Sequence, residues 1–142
     1  MHICGMILFS LLIEKLNSWH SWHLGGSLFI PILCNASVEE LAQRLSQGEP
    51  NLQLVDVREP QEVAIAHIEG FVNLPLSGFA EWGNEIHTRL DPDAETLVLC
   101  HYGIRSAQMC QWLVNQGFTN VKNISGGIDA YSMLVDPSIP VY

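Results

Sequence analysis

The segment Cys100-His101-Tyr102-Gly103-Ile104-Arg105-Ser106 carries residue types whose spacing suits chemistry at sulfur. A thiolate is a strong nucleophile, and nearby amides and positive charge favour it. Gly103 lets a tight loop turn successive N–H groups inward, because glycine tolerates backbone angles that a β-carbon resists. Such a nest of amides binds an anion. Arg105 adds a planar cation suited to an oxyanion such as a sulfonate or a phosphate. Ser106 can cap the following helix and donate a hydroxyl hydrogen bond. His101 and Tyr102 either contact a substrate or shape the mouth of the loop. The plain alternative is a buried structural cysteine followed by an ordinary connection. The glycine, arginine and serine stand where an anion cradle needs them, which weighs against that alternative.

The flanking elements supply the position. Thr96-Leu97-Val98-Leu99-Cys100 reads as a buried strand and Ser106 to Gln116 as a helix. A cysteine at a strand-to-helix turn receives backbone N–H groups and the positive end of a helix dipole. A second strand, Leu52 to Val57, has Asp56 near its end and Arg58 directly after it. Sites in open α/β sheets lie at the carboxyl ends of strands, so Cys100, Asp56 and Arg58 are expected on one rim.

From Asn35 onward strand and helix patterns alternate. Ser37-Val38-Glu39-Glu40 reads as a capping box. Val38, Leu41, Ala42 and Leu45 then give one apolar helical face, which Gly48 ends. Pro60 fits the first turn of a short helix through Ala66. Phe71 to Leu74 reads as a strand. Phe79, Trp82, Gly83, Ile86 and Leu90 mark another amphipathic helix, and Val121 to Ile124 a last strand. Gly126 and Gly127 turn the chain into a final helix at Asp129 to Leu134. Short strands that are apolar on both faces predict an α/β fold: a small central parallel sheet with helices on both faces.

The 142 residues predict one domain, with 48% apolar and 15% charged residues excluding a disordered chain. A net charge of −9 argues against nucleic acid and anionic membranes as partners. Cys4, Cys34, Cys100 and Cys110 form no C-x-x-C pair, which suggests a reducing compartment with one functional thiol. Cys34 and Cys110 read as small buried hydrophobes. Residues 1–30 read as an apolar N-terminal extension, distinct from a domain over 31–142. The runs Ile3 to Ile13 and Leu24 to Cys34 are too short to span a bilayer. With no basic signal-peptide start, a cytoplasmic location is expected. His20 and His23 lie one helical turn apart but lack further ligands, so neither a metal nor any other cofactor is expected.

Five stretches together resemble the rhodanese family. They are the Cys100 to Ser106 loop, Leu54 to Glu59, His67-Ile68-Glu69-Gly70 with Asn73-Leu74-Pro75, the Gly117-Phe118 turn, and Ile124 to Gly127 with Tyr131. They occur in the family's order, and the resemblance covers about residue 31 to the C-terminus. Glu69 stands where many relatives carry proline, and Tyr131 where many carry tryptophan. The resemblance implies a single-domain sulfurtransferase in which Cys100 carries a sulfane sulfur as a persulfide. Thiosulfate or a similar donor loads it, and cyanide, a thiol or a protein acceptor removes it. It further implies that Arg105 orients the donor or braces the loop, and that Asp56 and Arg58 are a structural pair at the rim. One alternative is a rhodanese-like interaction or sulfur-relay module. Another is a phosphatase or arsenate-reductase type of enzyme, whose Cys-x5-Arg loop is one residue longer than the spacing here.

Overall fold

The computed structural model describes residues 33–142. The apolar run Ile3 to Ile13, the His20 and His23 pair, and Leu24 to Ile32 of the second run lie outside the described residues.

Five short strands form one parallel sheet: β1 (Asn35–Ala36), β2 (Gln53–Asp56), β3 (Val72–Asn73), β4 (Thr96–Leu99) and β5 (Val121–Ile124). Their order is β1-β5-β4-β2-β3. The helices are α1 (Val38–Gln47), α2 (Pro60–Ile65), α3 (Phe79–Trp82), α4 (Ile86–Arg89), α5 (Ile104–Asn115) and α6 (Gly127–Leu134). β4 is the central strand and all four of its residues are buried. Its side chains alternate. Leu97 and Leu99 pack with Val38 and Leu41 of α1 and Ile128 and Tyr131 of α6. Val98 and Cys100 pack on the other face with Met109, Cys110 and Leu113 of α5 and with Trp82 and Ile86. Helices therefore cover both faces, as the two-sided apolar strands require. Each fully buried Leu or Val contributes about 1.5–3 kcal/mol to holding the layers together.

Local signals account for most boundaries. Ser37 caps α1, its hydroxyl accepting from Glu40 N–H at 3.0 Å. The reciprocal capping box expected there stands instead at α2, where Glu59 and Glu62 bond each other's backbone. Gly48 closes α1 with φ 63°. The long helix expected over Phe79 to Leu90 is broken into α3, a 3-10 turn at Gly83–Glu85, and α4. The Phe79 ring lies against Gly83, where an added Cβ would sit 3.1 Å from it. Phe79 meets Trp82 and Trp112 edge-on, with centroids 5.1 and 4.9 Å away. This aromatic packing takes over from helical continuity. β1 was not expected: it is two residues long and directly follows an apolar run.

Candidate active site

Cys100 directly follows β4, and the loop after it rises into α5. The Gly103 N–H points at the Cys100 sulfur at 3.0 Å, and the Ser106 N–H at 3.3 Å. The Ser106 hydroxyl lies 3.2 Å from the same sulfur. Cys100 is only 1% exposed and belongs to the α5-side core cluster, yet two backbone N–H groups face its sulfur. Gly103 has φ +98°, and a Cβ there would sit 3.2 Å from Gly126 N and 3.3 Å from Ile124 O. The backbone angle favours glycine at this corner, and the space is tight for any β-carbon. Gly103 is the N-cap and α5 begins at Ile104, two residues before the expected start. Ser106 therefore sits inside the first turn rather than capping it. Its hydroxyl donates to Asn123 Oδ1 at 2.5 Å.

Asn123 is a hub that the sequence reading missed. Its Nδ2 donates to the Gly103 carbonyl at 3.1 Å and to Asn35 Oδ1 at 3.3 Å. A carbonyl can only accept, so the Nδ2 end must face Gly103 and Oδ1 must face Ser106. One buried amide thus ties the loop, the first turn of α5 and β1 together. The available signal was a polar residue within a buried strand, which must find partners.

Asp56 and Arg58 lie on the same rim as Cys100, since Asp56 pairs in register with Leu99. Arg58 is fully buried, and its Nη2 contacts Asp56 Oδ2 at 2.7 Å. It also donates to the Ala66 carbonyl at 2.8 Å and to the Tyr142 hydroxyl at 2.9 Å. These bonds fasten the end of β2 to the segment after α2.

Arg105, expected to orient a donor or brace the loop, is paired with a carboxylate. It makes two bonds to Glu62 of α2, at 2.7 and 2.9 Å. The Arg105 guanidinium in turn holds the Glu62 carboxyl down at about 2. Tyr142 donates its hydroxyl to Glu62 at 2.9 Å and stacks on the His101 ring at 4.0 Å. Tyr102 stacks on His101 as well, with centroids 3.9 Å apart. His101 is thus clasped by both tyrosines, and its Nε2 is buried with no hydrogen-bond partner. Tyr102 and Ile104 turn outward and are 56% and 70% exposed. Neither Glu62 nor Tyr142 had been singled out. Glu62 was legible as a possible box partner three residues after Glu59, whereas nothing in the sequence marks Tyr142.

The last wall is the start of α6. Ile128 N–H donates to the Cys100 carbonyl at 2.9 Å and Asp129 N–H to the His101 carbonyl at 3.1 Å. An added Cβ at Gly127 would lie 2.3 Å from the His101 oxygen and 2.5 Å from the Cys100 oxygen. The second glycine is therefore the site of closest approach between α6 and the loop. Cys110 is buried in the core, and that burial, with Cys100 nearby, pushes its thiol well above the ordinary cysteine range. Cys34 is buried too, and Cys100 and Cys110 are free thiols. Among the described residues no group of three or more His, Cys, Asp or Glu side chains could hold a metal. No described helix is long and apolar enough to cross a membrane.

The chain is similar to known proteins. A chloroplastic rhodanese-like/PpiC domain-containing protein 12 of Arabidopsis thaliana is 49% identical over 107 residues, which is 74% of this chain and 36% of that protein. The adenylyltransferase and sulfurtransferase MOCS3-2 of Zea mays is 35% identical over 116 residues, 80% of this chain and 24% of that one. The chain thus spans about a third and a quarter of these relatives' lengths. A crystal structure of a rhodanese-like domain protein from Staphylococcus aureus shares the fold, with TM-score 0.63 and 23% identity over 78% of this chain and 99% of that one. The family model of the rhodanese-like domain matches residues 37–134, and with the ordered motifs and the parallel sheet this makes the chain a member of the rhodanese-like domain family.

Proposed function

We propose that this protein is a sulfurtransferase that carries a sulfane sulfur on Cys100. The single observation behind the proposal is the pair of amides, from Gly103 and Ser106, aimed at the Cys100 sulfur. In the first half-reaction the Cys100 thiolate attacks the sulfane sulfur of a donor such as thiosulfate. The donor's S–S bond breaks, its electron pair leaves with sulfite, and a new S–S bond makes the persulfide. In the second, cyanide or a thiol attacks the outer sulfur and the electron pair returns to the Cys100 sulfur. Covalent storage splits one transfer into two steps. The first-turn N–H groups of a helix lack intrahelical partners, so α5 has donors for the added negative sulfur. A protein acceptor would use the same second step. The spacing of four residues between Cys100 and Arg105 supports a small sulfur cradle over the wider phosphate loop of a phosphatase. The cytoplasm is the proposed location, and the name of the Arabidopsis relative makes the chloroplast its rival.

Turnover with thiosulfate and other sulfane donors, read as thiocyanate formed from cyanide, tests the assignment. Wild type is expected to turn over at least one donor and Cys100→Ala none. Full turnover by Cys100→Ala, or phosphate-ester hydrolysis by wild type without sulfur transfer, would overturn it.

A further inference from the structure

Each lysine and arginine among the described residues is engaged by a carboxylate. Arg44 pairs with Glu49 and Glu95, Arg58 with Asp56, Arg89 with Glu85, Arg105 with Glu62, and Lys122 with Glu95. The whole chain carries a net charge of −9. The loop's only permanent cation is Arg105, and Glu62 neutralises it through two bonds. Glu62 is itself fixed, accepting from the Glu59 N–H at 3.1 Å and from the Tyr142 hydroxyl at 2.9 Å. Freeing the guanidinium would break a bidentate pair whose carboxylate has no slack to follow it. The side chains the loop turns to solvent are Tyr102 and Ile104, both largely apolar.

Building on the sulfurtransferase assignment above, we propose that Glu62 sets donor choice: by cancelling Arg105 it makes the site prefer an organic sulfane donor, with an apolar group and at most one negative charge, over thiosulfate. Charge bookkeeping supplies the reason. A thiolate meeting thiosulfate brings three negative charges together with no uncommitted cation among the described residues to offset them. A thiolate meeting a hydropersulfide R–S–SH brings one. In that step the bond between the two donor sulfurs breaks and a bond from Cys100 to the outer sulfur forms. The electron pair leaves on R–S⁻, the proton stays on the transferred sulfur, and no outside oxidant is needed. An organic thiosulfonate reacts alike and releases a sulfinate. The R group meets Tyr102 and Ile104.

The test compares kcat/KM for thiosulfate and for benzenethiosulfonate, which replaces one charged oxygen by a ring, with cyanide as acceptor. Wild type is expected to favour benzenethiosulfonate by about tenfold or more, the scale of one poorly screened unit charge. Glu62→Gln is expected to raise thiosulfate kcat/KM by about tenfold and to change the thiosulfonate value by less than about threefold. The double variant Glu62→Gln/Arg105→Met, which leaves neither charge uncancelled, covers the case in which Glu62→Gln alone misfolds, and it is expected to scale both donors alike. The proposal is overturned if wild type prefers thiosulfate, if Glu62→Gln shifts both donors equally, or if the double variant loses thiosulfate selectively. Each of those results leaves the sulfurtransferase assignment standing. Absence of turnover with both donors would instead count against that assignment.

Discussion

Replacing Gly127 by alanine places a methyl group 2.3 Å from the His101 carbonyl oxygen and 2.5 Å from that of Cys100. Carbon and carbonyl oxygen ordinarily approach no closer than about 3.3 Å, so α6 and the loop must part by about 1 Å. That movement strains or breaks the bonds from Ile128 N–H and Asp129 N–H to the two carbonyls. Their loss costs about 0.5–1.5 kcal/mol each. The backbone angle adds its own penalty, because φ is +63° at Gly127. A β-carbon in that region costs about 1 kcal/mol. The sum is about 2–4 kcal/mol, a large part of the stability of an ordinary domain. Gly48 is the matched control, with the same φ of +63° and nothing within 4 Å of an added Cβ. Gly48→Ala therefore carries the angle penalty alone, about 1 kcal/mol. Urea unfolding of both variants measures the difference, and turnover per folded molecule reports whether the loop has shifted. Gly127→Ala is expected to lose about 1–3 kcal/mol more than Gly48→Ala and at least tenfold in turnover, the scale of a displaced catalytic group. Equal stability losses with unchanged turnover would refute the close approach of α6 to the loop.

The remaining expectations concern the charged groups around the rim. Asp56→Ala leaves the guanidinium of Arg58, 0% exposed, without its carboxylate. Breaking such a pair costs about 3–5 kcal/mol, read from the urea midpoint, and a loss below about 1 kcal/mol would contradict the pairing. The Glu62 carboxyl, held by Arg105, sits at about 2 when folded against an ordinary 4.5. A lowered folded value contributes stability that is complete above the unfolded value and is lost as pH falls through the folded one. The stability gap between wild type and Glu62→Gln is therefore expected to shrink from pH 4.5 to 2. A gap that stays flat across that window would contradict the Arg105 pairing.

The parts of the fold that could be read from sequence are those where a local signal and the tertiary solution agree. β4 is apolar on both faces and is the buried central strand. Gly48 closes α1 as a helix-ending glycine should. The loop glycine, Gly103, stands where the chain needs a positive φ. Local signals failed where packing between distant segments decided the outcome. The apolar spacing from Phe79 to Leu90 fits one helix, but the ring of Phe79 over Gly83 and the edge-on tryptophans break it. The site divides in the same way. Cys100, Gly103 and Ser106 are close in sequence and their juxtaposition was readable. Arg105 was also readable, as a residue that orients a donor or braces the loop, but its partner Glu62 lies 43 residues away and carries no local signal of that pairing. Asn123 and Tyr142 reach the loop only through the register of β5 and the course of the chain after α6.

The most direct measurement is peptide-level mass spectrometry of the full chain after loading with benzenethiosulfonate or thiosulfate and removal of excess donor. One added sulfur is expected on the peptide holding Cys100, labile to cyanide and missing in Cys100→Ala. Sulfur found on Cys110 instead, or loading that survives Cys100→Ala, would show that the amides of Gly103 and Ser106 do not hold the reactive sulfur.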